Sequence, residues 1–449
     1  MSLLNSPVLS SMPGSISVSA LDSVQRARHR WYFVKEAFSP DIVTYAARDA
    51  ECGPKDLIVD PFCGSGTVIL QSALDGHRAA GIEVNPFLAF VARAKLQQCK
   101  SSVLKETADV AVTGARRKGK SGLTGFSTFS KKNGASKWLF NREVLEAFEG
   151  AWQAICPPHK SSPVQQLIKL CLIGAAMDVC NAVKDGKCLR YRKDWENLAF
   201  DGNAFIAALE SRVQIISDDL SNSALGRAPV TLTLGDARTR FIRGPFRLCV
   251  TSPPYLNSFD YTDVYRPELF LGKWVRDMQG LRSLRLRTMR SHVQVRWKDP
   301  TAIDFGAHYT DSMAAILPHS RQLWNRRIPL MIQAYFEDIR RVLNNLRSVA
   351  DKNASIWMVV STSSYAGIEV PVDLIIADIG STCGWYLREV HVLRYLRRVA
   401  CQQWCELAEK NAGGPNLRES VVILDARPRG PREQAAPLAA PTAVAHTSA

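Results

Sequence analysis

A chain of 449 residues that is 46% hydrophobic is longer than one ordinary domain, so a catalytic-sized core with large insertions, or two domains, is expected. Its 57 Lys and Arg against 42 Asp and Glu leave a formal charge of +15, which favours a polyanionic partner such as nucleic acid. Eleven cysteines, an odd number without CxxC pairs, argue against a disulfide framework or a zinc ribbon, and the most apolar stretch, from Leu167, is broken by Lys169 and Asp178 and is too short to span a bilayer.

These features predict a cytoplasmic protein without a membrane partner or a bound metal. Cys401 and Cys405 form a CxxxC, but no second pair accompanies it. Residues 1–28 have no cationic start and no long apolar run, and are predicted to be a disordered leader. In residues 29–105, the apolar run DLIVD leads into PFCGSGT and the helical pattern VILQSALDG. A second strand, RAAGIEV, and a helix from about Pro86 to Gln98 follow. Strand, glycine turn, helix, strand is the pattern of a parallel α/β sheet.

Residues 106–228 break that alternation. From Lys100 to about Ser136 the chain is Gly/Ser-rich and basic (ARRKGKSG, SKKNGASK), which predicts a mobile loop with Arg116, Arg117, Lys118 and Lys120 as phosphate tethers. Helical periodicity between 140 and 220 predicts an inserted helical module. Strands return in the second half, 229–427, at VTLTLGDA and FRLCVTS. Residues 273–298 then hold eight basic side chains against the single acid Asp277, within a basic segment that extends to 328. A helix (LMIQAYFEDIRRVLNNL), a strand (SIWMVVSTS) and two further strand-like runs (LREVHVLRYL, SVVILDA) complete this half. The Pro/Ala-rich tail, 428–449, is predicted to be disordered.

In DPFCGSGT, Asp60 ends the first strand, and Gly64 and Gly66 flank a tight turn where a ligand can approach the backbone closely. In a doubly wound sheet this crevice takes an adenosine-bearing cofactor, and the acid ending the next strand, here Glu83, takes the ribose hydroxyls. Position 69 is Ile, so the GxGxxG pattern for a pyrophosphate is absent. S-adenosyl-L-methionine fits instead, with Asp60 on its amino group, the turn amides on its carboxylate, and Phe62 and Thr67 as further lining candidates. Asp236, ending a third strand, is a candidate for the adenine amino group; a turn aspartate is the bland alternative.

The stretch VTSPPY stops a strand with two prolines, which fix φ and remove two donors while leaving outward carbonyls as acceptors. Such a corner, beside an aromatic ring, suits a flat ligand carrying an amino group. Together DPFCGSGT, GIEVNP, LGDA and TSPPY resemble the S-adenosylmethionine-dependent amino methyltransferases of DNA, which methylate exocyclic nitrogens of cytosine or adenine. The resemblance covers about 29–105 and 229–425 and implies a Rossmann-like methyltransferase fold, a mostly parallel seven-stranded twisted sheet with a helical insertion. In that family the corner reads (D/N/S)PP(Y/F), and serine in its first place looks more like the cytosine-N4 enzymes than the adenine-N6 ones. WYFVKEAFSPDIV is similar to the segment that closes over the methionine end of the cofactor, with Phe38 as its wall residue.

The resemblance implies double-stranded DNA as partner, with a cognate restriction or defence nuclease beside it. It assigns Ser252, Pro253, Pro254 and Tyr255 to catalysis: the amine N–H groups donate to the Ser252 hydroxyl and the Pro253 carbonyl, and Tyr255 stacks on a flipped base. Arg276, Arg282, Arg285, Arg287, Arg290, Arg296 and Lys298 are the candidates for DNA contacts, against the alternative of a solvated basic face. Cytosine-C5 chemistry would need a nucleophilic cysteine at the corner, and neither Cys63 nor Cys249 stands there. The rivals are an RNA guanine-N2 methyltransferase and a catalytically idle nucleic-acid-binding subunit.

Overall fold

The computed structural model describes residues 9–11, 20–131, 136–155, 161–185, 188–396 and 417–428. Its strands, in chain order, are β1 (Leu9–Ser11), β2 (Leu57–Asp60), β3 (Arg78–Glu83), β4 (Ala182–Asp185), β5 (Cys188–Tyr191), β6 (Val230–Leu234), β7 (Phe246–Thr251), β8 (Ala350–Ser361), β9 (Ser363–Tyr365), β10 (Ile368–Val370), β11 (Tyr386–Tyr395) and β12 (Arg418–Asp425). Eight of them form one sheet in the order β1-β11-β12-β8-β7-β2-β3-β6. Only β12 runs against the rest of this sheet, pairing antiparallel with β11 and with β8.

The mostly parallel α/β sheet expected from the sequence is therefore present, with an eighth strand, β1, added at its edge. That strand corrects the expectation of a disordered leader for part of 1–28, as does the 3-10 turn Ala20–Val24. Arg28 anchors the end of this second stretch. Its buried guanidinium donates to the Lys95 and Gln97 carbonyls, at 3.0 and 2.9 Å, and its backbone N–H donates to Asp219. The expected tail beyond Pro428, and Cys401 with Cys405, lie outside the described residues.

Alternation along the central strands sorts their side chains to two faces. Leu248, Val250, Trp357, Val359, Val421 and Ile423 pack with Ile42, Val43 and Ala46 of the helix Pro40–Asp49. Their neighbours Cys249, Ile356, Met358, Val360, Val422 and Leu424 face the helices Ile328–Ser348 and Val372–Thr382. Being covered on both faces, these strands read as unbroken apolar runs.

The insertion between β3 and β6 is helical: Ser101–Arg117, Arg142–Ile155, Pro163–Asp178 and Gly202–Asn222, with the β4–β5 hairpin. The first of these helices corrects the mobile loop expected from Lys100. Leu104, Ala108, Ala111, Val112 and Ala115 bury one stripe of it, and Gly114 lets the next helix approach until an added Cβ would lie 2.6 Å from the Gly150 carbonyl. The insertion's core is continuous with Phe87, Leu88 and Val91 of the helix Pro86–Lys95, so it is not a separately packed module.

Candidate active site

β2 and β7 are neighbouring parallel strands, with Ile58 opposite Leu248 and Val59 opposite Cys249. Their last residues consequently meet. The Thr251 hydroxyl, fully buried, donates to Asp60 Oδ1 at 2.7 Å. Just past this bond the glycine turn leaves β2 and the Pro-Pro corner leaves β7. Both open on one cavity of about 340 Å³, within the size range of small-ligand sites. Phe38, Asp60, Phe62, Gly64, Thr67, Glu83, Asp236 and all four corner residues, Ser252 to Tyr255, line it.

Two buried carboxyls, Asp60 and Glu83, stand beside the glycine turn. Burial pushes Asp60 up to about 7, against the hydrogen bonds from Thr251 and from the Phe62 N–H that favour its ionised form. Both of those bonds end on Oδ1, so Oδ2 keeps no protein partner among the described residues. Burial likewise raises Glu83 to about 7, although its oxygens accept from the Gly64 and Asn85 N–H groups at 2.7 Å each. Next to it, Asn85 caps the helix Pro86–Lys95 through Oδ1, and this leaves its buried Nδ2 without a partner. An acceptor oxygen at Asp60, a second carboxyl at Glu83 and an orphaned donor at Asn85, all on one cavity wall, fit the amino group, ribose diol and ring acceptors of S-adenosylmethionine. Asn85 was not singled out from the sequence, where nothing shows that one of its amide atoms is left free.

At the Pro-Pro corner, Pro253 is buried and Ser252 half-buried. The Tyr255 hydroxyl donates to Glu419 Oε1 at 2.6 Å, while Glu419 Oε2 accepts from Arg394 Nε at 2.7 Å. Burial and the Glu419 charge raise the Tyr255 phenol well above its ordinary range. Phe259 and Tyr261, edge to face at 4.4 Å, continue the aromatic wall. Cys63 and Cys249 are buried thiols that burial pushes further up, consistent with core fillers and not nucleophiles.

Several expected site residues serve elsewhere. Gly66 is not in the cavity wall. At φ 88° it starts the helix Thr67–Leu74, where an added Cβ would lie 2.8 Å from that of Ala92. Asp236 does reach the cavity, but its carboxylate is gripped by the Arg238 guanidinium at 2.7–3.0 Å. Arg290 is corrected as a DNA-contact candidate: it is buried, and it donates to Asp338 at 2.6 Å and to Glu337 at 2.5 Å. Arg285 is turned inward too, 2.5 Å from Asp260. Arg276, Arg282, Arg287, Arg296 and Lys298 are exposed, and of these Arg287 lines the cavity. Lys35 and Arg394, which the charge-run argument missed, line it as well.

The family model described as UPF0020, RMKL-like, methyltransferase domain matches residues 29–133. The type II methyltransferase M.AvaI of Nostoc sp. (strain PCC 7120 / SAG 25.82 / UTEX 2576) is 25% identical over 420 residues, 84% of this chain and 83% of that protein. M.BsoBI of Geobacillus stearothermophilus, also a type II methyltransferase, is 22% identical over 450 residues, 88% of this chain and 85% of its own length. Among solved structures, the rRNA methyltransferase aviRa from Streptomyces viridochromogenes is 11% identical, with 87% of this chain and 86% of that one covered at a TM-score of 0.30, a likeness too slight to bear on substrate. Sheet, site and sequence relatives together define a Rossmann-like methyltransferase that uses S-adenosylmethionine. More narrowly, the chain's likeness over more than four fifths of its length is to type II methyltransferases.

Proposed function

We propose that the protein transfers a methyl group to an exocyclic amino group of a base flipped out of double-stranded DNA, cytosine N4 before adenine N6. The observation that carries this reading is that the glycine turn and the Pro-Pro corner open on the same cavity. S-adenosylmethionine supplies a methyl group made electrophilic by its sulfonium. Asp60 and Glu83 hold the cofactor's amino group and ribose, and Phe38 closes over its methionine end. Asp236, whose carboxylate Arg238 already holds, would take the cofactor's adenine amino group as a further donor.

An exocyclic amine is a poor nucleophile because its lone pair is delocalised into the ring. Acceptors at Ser252 Oγ and the Pro253 carbonyl would draw its two N–H groups out of the ring plane and favour a pyramidal nitrogen. That is preorganised electrostatic stabilisation combined with positioning. Stacking on Tyr255, worth about 1–3 kcal/mol, offsets part of the few kcal/mol of unstacking. Serine at the head of the corner favours cytosine N4, as the resemblance implies.

Lys35 and Arg287 at the cavity mouth have no side-chain partner among the described residues, and they are the first choices for phosphates beside the extruded nucleotide. Arg282, Arg296 and Lys298, also exposed, are the further candidates. The likeness to type II methyltransferases also supports a cognate restriction or defence nuclease as partner, and a cytoplasmic setting belongs to the same reading; no helix among the described residues is long and apolar enough to cross a membrane.

The test is incubation with labelled S-adenosylmethionine and DNA or RNA, with the modified nucleoside identified by mass spectrometry. N4-methylcytosine from DNA is the expected product, and N6-methyladenine would move the acceptor within the same chemistry. Label in RNA but not DNA overturns the substrate. No label in any polymer favours an idle binding subunit.

A further inference from the structure

Glu419 is a carboxylate in the wall of the acceptor cavity, 8% exposed, at a place where nothing in the sequence suggested a functional group. The sheet's topology puts it there. In the parallel strands the last residues reach the site edge, and Arg394 near the end of β11 is one of them. β12 runs the other way, so its first residues arrive at that edge, with Glu419 directly opposite Arg394 in the ladder. Both oxygens are then committed: Oε2 to the Arg394 guanidinium and Oε1 to the Tyr255 hydroxyl.

Burying a carboxylate is unfavourable unless it is paired, and here the pairing is divided between a half-exposed cation and the catalytic aromatic. A tyrosine ring held only by packing can still swing about χ1 and χ2. A charge-assisted hydrogen bond at its far end removes that freedom before the base arrives. The corner's two prolines fix the near end of the same residue.

We infer that Glu419, oriented by Arg394, is a positioning residue that locks the Tyr255 ring in place to receive the extruded base. It acts through Tyr255 and touches neither cofactor nor base. The inference rests on the proposed methylation of a flipped base, but its core, a ring held by a carboxylate from the antiparallel strand, can be read without substrate.

The experiment combines a kinetic cycle with a spectroscopic one on the full chain. Glu419→Ala, Tyr255→Phe and the double variant are assayed for methylation of DNA, and Glu419→Gln, whose amide oxygen still accepts from the phenol, is the conservative control. Glu419→Ala and Tyr255→Phe are each expected to lower kcat by roughly 10-fold or more, the scale of a lost hydrogen bond to a charged group. The double variant should be no worse than either single one, and Glu419→Gln should recover most of the rate. Affinity for S-adenosylhomocysteine should stay at the wild-type value throughout.

With fluorotyrosine incorporated, the resonance that disappears in Tyr255→Phe should be single and sharp in the wild type, and shifted or broadened in Glu419→Ala. Additive kinetic losses, or a Tyr255 resonance unmoved by Glu419→Ala, would overturn the inference. A wild-type protein inactive on DNA would sink the proposed function, while the fluorine spectra would still decide whether Glu419 locks the ring.

Discussion

Asp60 keeps a proton to about pH 7 because burial disfavours its charge, yet the amino group it faces in the proposed complex is a cation. Cofactor binding must therefore drive that proton off. Affinity for S-adenosylhomocysteine is expected to rise with pH, by up to about 10-fold per unit below 7 and levelling above it. Calorimetry in buffers of different ionisation enthalpy should show proton release on binding near neutrality. Asp60→Asn should weaken binding at pH 8 and flatten the profile.

For the cofactor-free protein the sign is opposite. Asp60 and Glu83 have folded values raised to about 7, so their contribution to stability is complete below the ordinary carboxyl range and is lost as pH rises through about 7. Thermal melts should show the midpoint falling over that window without cofactor, and less so with it.

The element carrying the basic segment divides into two kinds of arginine. Arg290 packs on the helix Ile328–Ser348 through the fully buried Asp338, which it shares with Arg238. Arg290→Ala leaves the buried Asp338 with Arg238 as its one remaining cation and should destabilise the protein by about 3 kcal/mol in denaturant unfolding, the scale of a broken buried pair. Arg287→Ala should leave that stability unchanged. It should instead weaken DNA binding and make the slope of log K against log salt shallower by about 1.

Sequence alone assigned both arginines to DNA, because a charge run does not reveal which side chains turn inward. The same limit explains other differences between expectation and structure. The glycine turn, the corner and the strands β2, β3, β7 and β8 were legible because apolar runs and turn residues are local signals. The helix Ser101–Arg117 was not, since its buried stripe is mostly Ala and Gly and its basic end dominates the composition. Glu419 was invisible because only pairing with its neighbours shows that β12 is reversed. Gly66, expected at the cofactor, is instead where a helix starts against Ala92, so Gly66→Ala should cost about 1 kcal/mol or more from its positive φ alone, measurable by unfolding.

At the scale of the whole molecule, the insertion shares one core with the helix that follows β3. Phe87, Leu88 and Val91 pack among Leu104, Phe148, Leu170 and Leu209. Removing residues 101–222 would expose that face, with about 1.5–3 kcal/mol lost for each large side chain uncovered. The truncated chain is expected to be insoluble, whereas a soluble truncation that binds S-adenosylhomocysteine would show the insertion to be an independent unit.

In the proposed mechanism, two loops at one sheet edge divide a single cavity into a methyl-donor side and a base side. Ser252→Ala tests it most directly, by comparing the dissociation constant for S-adenosylhomocysteine with the rate of methyl transfer to DNA in the same preparation. Wild-type cofactor affinity is expected, with turnover reduced by at least about 100-fold, the scale of losing one oriented hydrogen-bonding group at a reacting centre. An equal loss of both would show that the corner only supports the fold, and undiminished turnover would place the chemistry elsewhere.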